Sequence, residues 1–237
     1  MPTAVLLPHG KTVDIEGVKV IRSVSQQESD NFNERMARMP NNAGLISNRR
    51  WTVALEVPNA RGGISTRYTS DVDVAELVGR LGPAGQNYDL IDGSNAAIAK
   101  DAKVHLIRPL QERADSANRA VIHVEGGSSN GLMVQATASD IHAELGAKAA
   151  GLKAIGDEGF INPERIVNIS AFDESRELAE GQQRFTSAVK FEGVYRPQYF
   201  KADATTLTGK QVIDTRAEAS RPAAKARPAQ AARATKG

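Results

Sequence analysis

Gly127-Ser128-Ser129-Asn130-Gly131 matches Gly-x-Ser-x-Gly, the pattern that sets a serine nucleophile on a sharp strand-to-helix turn. The residues after it, Leu132 to Thr137, alternate as a strand, so the segment reads as a glycine-rich hairpin loop. It lacks the Gly-Lys-Ser/Thr of a P-loop, and no Gly-x-Gly-x-x-Gly opens a helix elsewhere. His9, His105, His123 and His142 show no His-x-His or His-x-x-x-His spacing. His123 with Glu125, and Asp140 with His142, are pairs where a metal needs three or four converging groups, so local hydrogen bonding is the expected role. Asp71/Asp73, Asp89/Asp92 and Asp157/Glu158 are read as helix caps and solvated loop residues before acid/base pairs.

Basic residues make the other constellation. Arg49-Arg50-Trp51, Arg61 and Arg67-Tyr68 fall on or beside one expected hairpin, bringing guanidinium groups next to aromatic rings. That combination suits single-stranded nucleic acid, where phosphates meet charge and bases stack. Trp51 is also in phase with Val53 and Leu55, which assigns it equally to the core. A second basic segment is the C-terminus. From Lys210 onward seven basic residues stand against two acidic ones, +5, while residues 1–209 carry 23 against 26, −3. Ala219 to Gly237 has no large apolar residue and is expected to be disordered, because it cannot bury enough surface to offset ordering. Such a tail binds phosphates without sequence preference.

These groups are positioned by elements legible from periodicity. Val13/Ile15 and Val18/Val20 around Glu16-Gly17 suggest two short strands joined by a turn. Ser25 to Glu28 forms a capping box for a helix carrying Phe32, Met36 and Met39, closed by Pro40. Trp51 to Val57 alternates as a half-buried strand that turns through Pro58 to Gly63 into Ile64 to Thr69. Ser70 or Asp71 caps a helix with Val74, Leu77, Val78 and Leu81 on one face, stopped at Gly82-Pro83. Strands are expected at Val104–Arg108, Ala120–Glu125, Leu132–Thr137, Ile166–Phe172 and Phe185–Tyr195. A long helix is expected from Ser139 or Asp140 through Ile155 to Gly156, a capped turn at Asn162-Pro163, and a short helix after Asp173. No repeat of 20 to 50 residues is visible.

The fold class is therefore α+β: mostly antiparallel sheet, three to four interspersed helices, and a disordered basic tail. The expected organisation is an N-terminal arm or hairpin-helix over 1–44, a body over 45–200 and a tail over 201–237. With 237 residues, 41 % hydrophobic and 24 % charged, the composition is that of a globular chain. No apolar run approaches a membrane span, and the absence of cysteine removes disulfides, thiolate metal sites and cysteine nucleophiles. A cytoplasmic protein without cofactor or metal is expected. The leading reading is a non-catalytic, nucleic-acid-associated accessory protein whose body self-associates or binds protein partners. Its expected DNA or RNA contacts are Arg49, Arg50, Arg67 and Tyr68 on the hairpin, with Arg216, Arg221, Lys225, Arg227, Arg233 and Lys236 in the tail. The alternatives are a structural subunit of a larger assembly, such as a phage virion or secretion-type particle, and an enzyme whose site assembles from distant segments.

Overall fold

Runs rich in valine, isoleucine and alanine make the strands, and each helix begins where a side-chain oxygen caps its first free amides. The computed structural model describes residues 3–8, 10–39, 49–60, 63–110, 117–128, 130–172, 184–192, 194 and 196–210. In chain order the elements are β1 (Ala4–Leu6), β2 (Thr12–Asp14), β3 (Val20–Ser23), α1 (Gln26–Ala37), β4 (Val53–Pro58) and β5 (Ile64–Thr69). Then come α2 (Val74–Arg80), β6 (Tyr88–Ile91), β7 (Ala96–Ala99), β8 (Val104–Pro109), β9 (Ala120–Val124), β10 (Leu132–Val134) and α3 (Ala138–Leu145). Last are β11 (Lys153–Ala154), β12 (Phe160–Ile161), β13 (Ile166–Ala171), β14 (Ser187–Phe191), β15 (Gln198–Phe200) and α4 (Ala204–Thr208). All strand pairs are antiparallel, in sheets β1-β2, β5-β4-β3-β7-β6, β10-β9-β8-β12-β11 and β13-β14-β15. The α+β expectation holds.

Several local expectations are adjusted. β2 pairs with β1, and β3 instead occupies the centre of a five-stranded sheet, between β4 and β7. The N-terminal segment is thus built into the core: Val20 and Ile21 are fully buried. β4 is buried on both faces, because Phe32 of α1 packs with Ala54 while Arg22 and the Gly127–Ser128 turn cover Glu56 on the same side. The long helix expected to reach Ile155 ends at Leu145, where Gly146 takes a positive φ of 51°. α2 is capped by Asp73 and α3 by Thr137, each a few residues from the expected cap. At the other end, α4 buries Leu207 against β13 and β14, so residues 201–210 are ordered on the body. The Asp173 helix and the tail from 211 lie outside the described residues.

The two five-stranded sheets are copies of one plan. β3-β4-β5-α2-β6-β7 and β8-β9-β10-α3-β11-β12 run strand-strand-strand-helix-strand-strand, with the first strand lying between the second and the fifth. Residues 68–97 and 132–161 correspond at a constant offset, with the last hairpin shifted by one residue in pairing: Ala97 faces Leu90, whereas Ile161 faces Lys153. Tyr68 pairs with Ala54 as Leu132 pairs with Ile122, and Asp73 and Thr137 each cap the amide three residues on. Gly82 and Gly146 both take positive φ, and Ala97 pairs with Ile21 as Ile161 pairs with Leu106. The buried positions coincide as well: Leu77 with Ile141, Leu81 with Leu145, Ile91 with Ile155.

A third copy begins, and the described residues include its first half. β13-β14-β15-α4 reproduces β8-β9-β10-α3 pair for pair, including a register shift at Ile166/Asn168 that matches the one at Val104/Leu106. Asp203 caps α4 where Thr137 caps α3.

Candidate nucleic-acid interface

The β4–β5 hairpin forms as the sequence requires, and its arginines have different fates. Arg50 donates to three backbone carbonyls, with Nη1 to Ser25 O (3.0 Å) and Trp51 O (2.8 Å) and Nη2 to Val24 O (2.9 Å). It ties the end of β3 to the start of β4, and those donors are occupied. Arg49 donates to Ser70 Oγ at 3.2 Å, with its guanidinium carbon 6.0 Å from the Trp51 ring centroid. Arg67, on β5 opposite Leu55, is exposed with no ion-pair partner among the described residues.

The aromatics turn inward. Trp51 and Tyr68 are buried around Phe32 of α1, with Phe32–Trp51 centroids 5.3 Å apart and Phe32–Tyr68 centroids 4.3 Å apart. Trp51 Nε1 donates to Asn33 Oδ1 at 2.7 Å, and the Tyr68 hydroxyl donates to Glu28 Oε1 at 3.0 Å. Neither ring offers a face for a stacked base. Of the hairpin residues read as nucleic-acid contacts, Arg49, Arg50 and Arg67 are exposed to solvent, Arg50 with its guanidinium donating to backbone carbonyls. Arg61 and the tail residues Arg216, Arg221, Lys225, Arg227, Arg233 and Lys236 lie outside the described residues.

Beneath the hairpin lies an ion network that periodicity did not reveal. Arg22 on β3 donates from Nη1 and Nη2 to the two oxygens of Glu28 at 2.7 and 2.8 Å, and from Nε to Glu56 Oε1 at 3.0 Å. Glu56 is almost fully buried, and its second oxygen accepts the Ser128 amide at 2.8 Å, joining the two five-stranded sheets. Burial alone would raise the Glu28 carboxyl, but the hydrogen bonds and charge of Arg22 outweigh it and hold the pKa below the ordinary value. Burial, then the adjacent Glu28, push the Tyr68 phenol up. Glu28 thus spends its side chain on Arg22 and Tyr68, while its amide alone is capped by Ser25 Oγ at 3.1 Å. A polar residue in an alternating strand reads as outward-facing, which hid Glu56.

The Gly127–Gly131 segment joins β9 to β10 as a hairpin turn, with Gly131 N donating to Ser128 O at 2.9 Å, and Ser129 lies outside the described residues. His105 and His123 are buried on adjacent strands. Neither nitrogen of His105 nor Nδ1 of His123 has a hydrogen-bond partner among the described residues. Burial, reinforced by Arg165 near His105 and Arg108 near His123, lowers both to about 4, so both are neutral at pH 7. Glu125 pairs with Arg165 at 3.3 Å, and His142 stacks on Phe160 with centroids 4.1 Å apart. Among the described residues no three His, Asp or Glu side chains gather to hold a metal, and no helix is long and apolar enough to cross a membrane. No protein family matches the chain, and neither a curated protein nor a solved structure is detectably similar to it.

Proposed function

We propose that the chain is a cytoplasmic, non-catalytic, nucleic-acid-associated protein, in which a self-associating body carries a basic tail that contacts the phosphates of DNA or RNA. The distribution of charge carries this reading. From residue 211 on there are six basic and two acidic residues, leaving 24 basic against 26 acidic over 1–210. Several of the body's cations are already engaged in ion pairs: Arg22 on Glu28 and Glu56, Arg165 on Glu125 and Glu192, Lys148 on Asp89, Lys19 on Asp101. Arg216, Arg221, Lys225, Arg227, Arg233 and Lys236 supply the phosphate contacts, and Arg67 adds one on the body. Each neutralised phosphate on a duplex steepens the log–log salt dependence of binding by about 0.9. Fluorescence anisotropy of full-length and 1–210 chains on duplex DNA, single-stranded DNA and RNA tests it. The full chain should bind with a slope about 5 steeper on duplex DNA than the truncated one; equal slopes, or no binding at low salt, refute the reading.

A structural subunit of a larger assembly is the second reading. It is favoured by the repeated units and, among the described residues, by the half units that flank the two complete ones.

A further inference from the structure

We propose that copies of this chain join head to tail by strand pairing, the N-terminal hairpin β1-β2 of one copy completing the unit that β13-β14-β15-α4 begins in the next. The proposal gives the self-association in the reading above a partner and a register, and rests on that reading only there.

The hairpin is the missing half of a unit. Residues 4–18 match 152–166 without a gap: Val5 pairs with Val13 and Leu6 with Thr12, as Lys153 pairs with Ile161 and Ala154 with Phe160. The turns share their hydrogen bonds, Leu7 N to Lys11 O and Gly10 N to Leu7 O, like Ile155 N to Gly159 O and Glu158 N to Ile155 O. After each hairpin the same turn follows, with Asp14 Oδ1 accepting from Glu16 N and Asn162 Oδ1 from Glu164 N, before β3 and β13. Among the described residues, 4–14 thus have the form of the last two strands of a unit, and 166–208 that of the first three strands and helix of another.

Both halves are left with an open edge. In the complete units the fifth strand pairs with the first, β7 with β3 and β12 with β8. Among the described residues, β2 and β13 have no partner on the corresponding edges. The cost is visible on β13. His105 and Ile107 of β8 are fully buried, whereas the equivalent Val167 is 63 % exposed and Ile169 is half-buried. An unpaired apolar edge is a template for another chain. The chain's own tail is a poor occupant. At the spacing of Leu152, Ile155 and Ile161 it carries Glu218, Arg221 and Arg227, with Pro222 and Pro228 between and after them, and proline cannot sit inside a central strand.

The equivalence fixes the register. Phe160 opposite Ile107 and Ile161 opposite Leu106 become Thr12 opposite Ile169 and Val13 opposite Asn168, antiparallel, and the Asn162 N to His105 O bond becomes Asp14 N to Val167 O. The composite sheet has the order β15-β14-β13-β2-β1. The contact is heterologous, so repeated addition builds a linear or closed array.

The chain has no cysteine, so introduced thiols report without background. Full-length Val13→Cys and Asn168→Cys proteins are mixed under oxidised glutathione, with circular dichroism confirming that each is folded and light scattering following self-association without nucleic acid. Val13 and Asn168 would form a non-hydrogen-bonded pair, whose Cα separation of about 4.5 Å falls in the disulfide range. Expected is a mixed cross-linked dimer at least tenfold above either protein alone and above Asn168→Cys mixed with Arg80→Cys, at an exposed position of α2. The next pair in register, Thr12→Cys with Ile169→Cys, should do the same and serves if Val13→Cys does not fold. Self-association without either cross-link overturns this interface and leaves the self-association reading standing; a strictly monomeric chain overturns both. A doubly substituted chain that closes only on itself, or cross-linking that appears only after residues 211–237 are removed, overturns the proposal by assigning the edge to the same chain.

Discussion

Acidification from pH 7 to 5 should cost this fold several kcal/mol, and the cost should be traceable to two side chains. His105 and His123, at 0 % and 3 % exposure, are held neutral with pKa values near 4, against 6.5 when unfolded. The unfolded chain binds their protons first, so the stability they contribute is complete above pH 6.5 and is lost as pH falls through the window down to about 4. At 1.36 kcal/mol per pH unit, each loses about 1.8 kcal/mol between pH 7 and 5, and the pair ~3.5 kcal/mol. Glu28 is held below the ordinary carboxyl value, and its contribution is lost only at lower pH, which leaves the window to the histidines. Urea unfolding followed by circular dichroism at pH 7, 6 and 5 measures it. With an m-value of about 2 kcal/mol per molar, the midpoint should drop by roughly 1.5 to 2 M. The double variant His105→Leu/His123→Leu removes buried polar atoms that have no partner and should flatten most of that dependence. A midpoint independent of pH in the parent, or an unchanged pH slope in the double variant, refutes the assignment.

Other substitutions separate structural from functional arginines. Arg50→Ala should lower stability by about 1 to 3 kcal/mol, because three carbonyls lose a charged donor, whereas Arg67→Ala should leave the melting temperature unchanged and shallow the salt slope by about 1. Arg22→Met strands Glu56 in the interior, leaves half-buried Glu28 without its partner, and should cost about 3 to 5 kcal/mol by urea titration; Tyr68→Phe removes one hydrogen bond, for ~1 kcal/mol. Gly146→Ala meets no atom within 4 Å and should cost only the strain of its positive φ, about 1 to 3 kcal/mol. Gly159→Ala should cost clearly more by the same measurement, since its Cβ would lie 2.1 Å from the Ile107 carbonyl oxygen between β8 and β12.

What the sequence discloses follows from how local each signal is. Ser25 caps α1 and Asn162 opens its turn because both act within three residues. Past Gly146 the apolar spacing of Ala149, Leu152 and Ile155 imitates a continuing helix, yet a left-handed glycine and a short 310 turn deliver the same residues to the core by another path. β7 escaped notice because Ala96 to Ala99 is weakly strand-forming, and its burial between β3 and β6 is set by tertiary pairing. Arg67 and Tyr68 are neighbours in sequence but opposite in fate, as strand alternation requires, and only α1 on the far face shows which one is buried. The duplication is hidden most completely. Over 68–97 and 132–161 only Leu81/Leu145, Gly82/Gly146 and Ile91/Ile155 are identical, so what persists is burial, caps and left-handed glycines.

The most direct test of a body built from two complete units flanked by half units is amide hydrogen exchange of the full chain at low and high protein concentration. The split-unit account predicts that peptides covering β2 and β13 gain protection as concentration rises, the Asp14 amide included, while β4, β8 and β9 stay equally protected throughout. Exchange at β2 and β13 that does not depend on concentration would contradict it.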